Sequence, residues 1–397
     1  MWSENPAHRS AIARLLQPVT VEEFAEKHYE RGCVHVSRNI PGFYGEVFSL
    51  AELERVIYGV PIAAADVRLC KDGAHVRSES FRKQDTIDAD RVSALFARGC
   101  SVVFEAMQRY CEPLATLCRE METFFRHRVN ANIYLTPAKC QGFAVHYDTH
   151  DTCILQIEGT KEWRLYGTPL ELPLDSQLWK KEPLGEPVRT ILLEPGDFLY
   201  VPRGELHECS ATDDYSLHAT VGLHPVLWVD AVREALRSAA ENDTALRRAI
   251  RAGATSRELV LQAVERAFTA EALDAAAARL ERAFVTERRN GLRGQLQQIA
   301  AIPAANPSTL VSIRPAMLYE MKLAGDACSL SYSGKSLALP AAAAEIIRYL
   351  ENASLAPLGA LEAITPQAKQ IVRRLVEDGF AVTQAAAAED LSCEKIA

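Results

Sequence analysis

The chain lacks any C-x-x-C pair: its ten cysteines (33, 70, 100, 111, 118, 140, 153, 209, 328 and 393) are scattered without regular spacing. That speaks against a zinc ribbon, a thioredoxin-type redox pair and a disulfide framework, and reads as reduced, mostly buried thiols. An excess of positive charge is missing too, since 52 Asp and Glu stand against 44 Lys and Arg. The chain as a whole therefore has no electrostatic reason to lie along a nucleic-acid backbone. No run approaches the roughly 18 apolar residues of a membrane span. The first residues, MWSENPAHRSAIARLL, lack the basic start and apolar core of a signal peptide. No membrane association is expected, and the expected location is the cytoplasm. Internal repeats are absent as well.

What is present is 397 residues of ordinary soluble globular composition, enough for two or three domains. Thr20-Val-Glu-Glu23 and Ser49-Leu-Ala-Glu52 are capping boxes that open helices. Short β-rich runs, Cys33 to Val36 and Ser101 to Phe104, lie between helical stretches. Residues 111 to 127 form a helix with Leu114, Leu117, Cys118 and Met121 along one side. From about Asn130 the pattern becomes strand after strand: 131–135, 152–157, 161–166, 190–193, 198–201 and 216–221, separated by turn residues such as Gly159, Gly167 and Pro195-Gly196. Many short strands at this spacing predict a barrel or jelly roll. After Pro225 the strands give way to an Ala, Leu, Arg and Glu-rich helical region over 228–300, with Ser256 capping a helix through Phe268. From roughly 310 the order is strand (326–331), strand (335–338), a helix from Pro340, a shorter one near 358–363, a third begun by Thr365-Pro366 and a strand at 380–382, which fits a winged helix. The tail from Gln384 reads as frayed. The expected fold is α+β, with domain 1–226 holding a barrel core at about 130–224, a helical region at 227–305 and a winged-helix-like domain with a frayed tail at 306–397.

The segment Gln141-Gly-Phe-Ala-Val-His-Tyr-Asp148 places His146 and Asp148 two apart, so that alternation turns both side chains to one face. Sixty-one residues after His146, the run from Leu193 to His207 reads strand, Pro-Gly-Asp turn, strand, then V-P-R-G-x-x-H entering another strand. Two imidazoles and one carboxylate facing an octahedral ion leave three positions open, where a bidentate 2-oxo acid and O₂ would bind. H-x-D alone would be weak. The second half of the pattern, in the right order and in a jelly-roll context, makes His146, Asp148 and His207 the candidate metal ligands and catalytic centre for Fe(II). The alternative is a cupin-like binding module that has kept the shape and lost the metal.

Asn132-Ile-Tyr-Leu-Thr-Pro137, Gln141-Gly-Phe-Ala144, His146-Tyr-Asp148 and Leu155-Gln-Ile-Glu-Gly-Thr-Lys-Glu-Trp-Arg-Leu-Tyr166 together resemble the core of the JmjC-type ribosomal oxygenases of the cupin superfamily, which are Fe(II)- and 2-oxoglutarate-dependent protein hydroxylases. The resemblance is strongest over Asn132–Leu223 and, with the helical and winged-helix regions, extends over about 20–385. It implies a double-stranded β-helix, turnover of 2-oxoglutarate with O₂ to succinate and CO₂, a homodimer built through the helical region, and a protein or peptide substrate. The resemblance also implies that Lys161, fifteen residues past His146, binds the distal carboxylate of 2-oxoglutarate, with Arg164 as the substitute should Lys161 point outward. Asn132 and Tyr134, on one strand face, would line the pocket near co-substrate and target. Trp163 is expected to pack rather than react, and His218 to support the site from behind the ligands. Family members often carry serine four residues beyond that histidine; here Gly222 stands there, which leaves the usual target residue open. His150 and Asp151 are expected at the rim.

The substrate expected first is a ribosomal protein. A precursor peptide of a natural-product pathway, or a small molecule, would suit the same scaffold. A winged helix also raises a nucleic-acid-binding regulator. From Glu320 onward, however, ten acidic residues face seven basic ones, and the third helix offers only Lys369, Arg373 and Arg374, so direct DNA binding is not expected.

Overall fold

The computed structural model describes residues 10–180, 183–250, 256–289, 291 and 293–384. They fall into two units, Met1–Pro225 and Val226–Ala397. In the first, the strands are β1 (Val34–Val36), β2 (Val67–Lys71), β3 (Ala74–Val76), the small hairpin β4 (Arg82–Lys83) and β5 (Thr86–Ile87), β6 (Ser101–Phe104), β7 (Arg128–Thr136), β8 (Asp151–Glu158), β9 (Lys161–Leu165), β10 (Arg189–Leu193), β11 (Phe198–Val201), β12 (His207–Ala211) and β13 (Ser216–His224). Eight of them make one sheet in the order β1-β11-β8-β13-β7-β6-β2-β3, and three make a second, β10-β9-β12. This is the jelly-roll sandwich predicted from strand spacing. The helices are α1 (Ser10–Leu16), α2 (Val21–Glu23), α3 (Leu50–Gly59), α4 (Ala89–Ala97) and α5 (Glu112–Phe125).

The large sheet is covered on both faces, and side-chain alternation divides the work. Leu217, Ala219, Val221 and Leu223 of β13, with Ile133 of β7, join one large core that takes in Leu114, Leu117, Cys118 and Met121 of α5. The residues between them face the small sheet, where Ile154, Leu199 and Val201 meet Trp163, Leu165, Ile191 and Leu193. The two capping boxes open their helices as expected: Thr20 Oγ1 accepts from Glu23 N at 3.0 Å and Ser49 Oγ from Glu52 N at 3.2 Å. The Pro-Gly-Asp turn is fixed by Asp197, whose Oδ1 accepts from Arg38 N and Asn39 N and whose Oδ2 accepts from Glu194 N.

Three features differ from the sequence reading. β2, β3 and α4 form where no element was expected. The H-x-D segment is not in a ladder; three isolated bridges, Gln141 to Ser210, Phe143 to Gly73 and His146 to His207, hold it extended. Asp151, expected at the rim, is fully buried: its Oδ1 accepts from Tyr200 Oη and Arg203 N, both at 3.0 Å. Alternation along β8 turns it inward, and those two donors make its burial tolerable.

The second unit begins with α6 (Trp228–Asn242), α7 (Ser256–Ala267), α8 (Ala270–Glu287) and α9 (Gln295–Ala301). Ala231 and Ala235 of α6 pack closely on Ala276 of α8. Next come β14 (Leu310–Ile313), β15 (Glu320–Ala324), β16 (Ala327–Tyr332), β17 (Lys335–Pro340), α10 (Ala342–Ala353), β18 (Ala356–Pro357), α11 (Leu358–Glu362), α12 (Ala368–Glu377) and β19 (Ala381–Gln384). Pro340 ends β17, so the helix predicted from it starts at Ala342, and the third helix starts at Ala368 instead of Thr365. β14 and β15 were not expected. The cap at Ser256 and the tail beyond Gln384 lie outside the described side chains and residues. No helix among the described residues is long and apolar enough to cross a membrane.

Candidate metal centre

His146 and His207 are joined backbone to backbone: His207 N donates to His146 O at 2.8 Å and His146 N to His207 O at 3.1 Å. This reciprocal pair sets the two rings side by side, with centroids 4.6 Å apart. In each ring Nδ1 lies against the carbonyl oxygen two residues earlier, Ala144 O at 2.8 Å and Glu205 O at 2.9 Å. A carbonyl only accepts, so Nδ1 carries the hydrogen and Nε2 keeps a free lone pair. Burial, with His146 beside it, pushes His207 down to about 4, so the ring is neutral at pH 7. Asp148 Oδ2 is 3.9 Å from His207 Nε2. Burial works against its charge, but His150, His207, His146 and Arg68 outweigh that effect and hold the carboxyl below the usual range. The three ligand atoms lie within 4.8 Å of one another. Two imidazole nitrogens and a carboxylate oxygen, all aimed at one point, fit a divalent iron ion.

The main-chain path to this point depends on Gly204. Its N–H donates to Asp148 O at 3.0 Å, and its φ of +89° belongs to the left-handed region.

Lys161, Trp163 and Leu165 alternate inward along β9, opposite Ala211, Cys209 and His207 of β12. Lys161 is fully buried. Its Nζ donates to Thr136 Oγ1 at 2.8 Å and lies 3.5 Å from His218 Nδ1, with the Cys209 thiol also beside it. Burial lowers its pKa, and no carboxylate among the described residues acts on it. Burial, and then the Lys161 charge, hold His218 well below an ordinary histidine, so it meets the ammonium as a neutral acceptor. Lys161, Tyr134, His218, Trp163, Cys209 and the three ligands border one cavity. Tyr134 stacks on His218, with centroids 4.7 Å apart and planes at 12°.

Asn132 sits elsewhere. It occupies the next step along the same face of β7, where its Oδ1 accepts from Ala106 N at 2.9 Å and from Asn130 Nδ2 at 3.2 Å. Arg164 points away, pairing with Glu162 at 2.5 Å and Glu208 at 3.5 Å. Trp163 packs in the core between the sheets, yet its buried Nε1 has no hydrogen-bond partner and it also borders the cavity. Several cavity residues escaped the sequence reading, among them Thr136 and Cys209. Thr136 lies two residues beyond Tyr134, so alternation along β7 was the signal that would have found it.

Residues 105–230 match the family described as JmjC domain. A protein of Drosophila persimilis, bifunctional lysine-specific demethylase and histidyl-hydroxylase NO66, is 33% identical over 54% of this chain and 32% of its own length. Ribosomal oxygenase 2 of Mus musculus is 31% identical over 60% of this chain and 53% of its own. The chain thus spans about a quarter to a half of the length of the curated relatives it matches. Among solved structures, Escherichia coli ribosomal oxygenase YcfD superposes with a TM-score of 0.53 at 17% identity, covering 92% of this chain and 98% of that one. A structure of the same protein in complex with cobalt and 2-oxoglutarate gives 0.54 at 17% identity, covering 92% and 99%. At that identity the likeness establishes a shared fold.

Proposed function

We propose that this chain, whose residues 105–230 match the JmjC domain family, is an Fe(II)- and 2-oxoglutarate-dependent oxygenase that hydroxylates a side chain of a protein or peptide, first among them a ribosomal protein. One observation carries this: a converging His146, Asp148 and His207 set with both Nε2 atoms free, sharing a cavity with the buried, carboxylate-free ammonium of Lys161. A buried cation without an anion is costly. A dicarboxylate that chelates the metal at one end and meets Lys161 at the other would remove that cost.

The iron, when bound with 2-oxoglutarate, supplies the oxidising chemistry that activates O₂ toward a C–H bond. The protein's contributions are positional. His146 and His207, with Nδ1 committed to carbonyls, present fixed Nε2 lone pairs, and Asp148 adds the anionic ligand. Lys161, steadied by Thr136 and by the neutral His218, orients the distal carboxylate. The apolar core around Trp163 and Leu165 limits water on the small-sheet side.

Anaerobic Fe(II) and 2-oxoglutarate titrations, followed by succinate release with the cell's ribosomal proteins or candidate peptides, test the reading on the native protein and on His146→Ala. The native protein is expected to bind both and to turn over, and the variant to lose metal. A native protein that binds neither defeats the oxygenase reading. Turnover stimulated only by a peptide from outside the ribosome would move the substrate and leave the mechanism.

For the second unit we infer that 227–305 joins two copies, supported by the exposed apolar Trp228, Leu259 and Leu261. Light scattering of the full chain in solution tests this, and a monomer refutes it. A winged-helix-like 306–397 that leaves DNA alone is supported by α12, where Arg373 pairs with Glu377 at 2.8 Å and Arg374 with Asp378 at 2.6 Å. Salt-dependent DNA binding would overturn that part. Cytoplasmic location completes the proposal.

A further inference from the structure

Trp163 is the inward residue of β9 between Lys161 and Leu165, and Leu165 pairs with the metal ligand His207 on β12. Its ring spans that interval. The centroid is 5.6 Å from that of His207 and 5.8 Å from that of His218, the imidazole beside Lys161. Trp163 is 4% exposed, and toward the core it packs with Ile154, Ile191, Leu193 and Leu199, whose side chains carry no acceptor. Its Nε1 can only donate, is buried, and meets no acceptor among the described residues. A buried donor left unpaired is destabilising, and folded interiors seldom keep one without a use for it. The other side of the residue borders the cavity that holds the three metal ligands and Lys161, so an acceptor has to come from there.

We infer that Trp163 is a co-substrate-binding residue, its indole N–H donating to the distal carboxylate of 2-oxoglutarate alongside Lys161. The inference rests on the oxygenase reading above and adds a donor which that reading leaves unused. Lys161 cannot satisfy the carboxylate alone. An ammonium has three N–H groups, and here one is given to Thr136 Oγ1 and a second faces His218 Nδ1, which leaves one for the anion. A carboxylate in a buried site requires several donors, and a charge-assisted N–H···O⁻ bond from a ring fixed by core packing supplies one without bringing a second positive charge into the interior. Trp163 stands next to Lys161 on the metal side, where an acid reaching from the metal to the ammonium would place its distal end. An oxo acid without that second carboxylate offers the indole nothing to bond, so the same N–H adds to the preference for a dicarboxylate.

The test uses the full chain loaded with Zn(II), native and as Trp163→Phe, which keeps an aromatic ring and removes the N–H. Each is titrated calorimetrically with 2-oxoglutarate and with 2-oxopentanoate, which has the same chelating end and a methyl group in place of the distal carboxylate. Affinity for 2-oxoglutarate should fall about tenfold in the variant, while affinity for 2-oxopentanoate stays within about twofold. A ring that merely packs would lower both alike, and that result, or native affinity for 2-oxoglutarate in the variant, overturns the inference. A second measurement does not depend on how well the variant folds. The chain has four tryptophans, and with ¹⁵N-labelled tryptophan the indole signal absent from Trp163→Phe identifies Trp163. Saturating the native protein with 2-oxoglutarate should move that signal downfield, as a new hydrogen bond to a carboxylate requires, and an unmoved signal at saturation overturns the inference. A native protein that takes up no 2-oxoglutarate instead defeats the oxygenase reading on which it stands.

Discussion

The amide of Gly204 donates to the carbonyl oxygen of Asp148 at 3.0 Å, so the V-P-R-G turn grips the main chain of a metal ligand directly. Gly204 manages this at φ +89°, and a Cβ there would collide with Leu170 O and press on Pro173 Cδ at 3.0 Å. The turn, the H-x-D segment and the loop around Leu170 therefore share one glycine. The same loop holds the outward side chains that flank the ligands: Tyr147 Oη donates to Gln177 O at 3.0 Å and Thr149 Oγ1 to Asp175 Oδ1 at 2.8 Å.

From this follows an expectation for Gly204→Ala. The left-handed backbone alone costs about 1–3 kcal/mol for a residue with a Cβ, and relief of the collision must move either the loop or Asp148. Metal affinity should drop by about tenfold or more, with a lower thermal midpoint of the metal-free protein. Titration of Fe(II) under anaerobic conditions and a thermal unfolding scan measure the two effects. Native metal affinity in the variant would show that Asp148 is placed without the turn.

Lys161→Met separates the co-substrate from the metal. The ammonium is buried among Thr136, His218 and Cys209 with no anion, so a thioether of similar length removes a charge that the empty site holds at a cost. The metal-free variant should be as stable as the native protein or more so, metal affinity should persist, and 2-oxoglutarate should bind about a hundredfold more weakly, the loss of a buried charge pair being worth about 3–5 kcal/mol at most. Calorimetric titration with 2-oxoglutarate on Zn(II)-loaded protein checks it. Undiminished affinity would remove Lys161 from the co-substrate site.

Much of this was legible before the fold was known, and the reason is periodicity. Alternation along β9 separates Lys161 from Arg164, and the strand run from Asn130 onward places both in a barrel. The spacing of His146, Asp148 and His207 carried the candidate centre, though in place of the strand invoked to turn His146 and Asp148 the same way there are three isolated bridges. Local pattern failed where tertiary contacts decide. Asp151 is polar and next to the site, so it read as rim; only the positions of Tyr200 and Arg203, about fifty residues away in sequence, make its burial tolerable. Asn132 read as a pocket residue because it shares a face with Tyr134, but its carbonyl oxygen is taken by Ala106, on a turn whose path no periodicity encodes. Gly222 could be noticed in sequence as a missing side chain, while the ring of His150 that fills its place could not.

His218 gives the site a signature in acid. Burial and the Lys161 charge keep it neutral in the folded protein, well below the ordinary histidine value near 6.5. The unfolded chain takes up a proton at this residue as pH falls through that value, and the folded chain does not, so its contribution to stability is complete above about pH 6.5 and declines below it. The slope it adds reaches at most about 1.4 kcal/mol per pH unit. Between pH 7 and 5 the metal-free protein should therefore lose stability on acidification, with His207, also held low, acting in the same direction. His218→Asn replaces the ring by an amide that does not titrate and lies near enough to accept from Lys161. Denaturant unfolding at pH 7, 6 and 5 should show a shallower decline in the variant by up to one proton's worth of slope. Parallel curves for the two proteins would mean that His218 takes up its proton in the folded state as readily as in the unfolded one, contrary to its place between Tyr134 and Lys161.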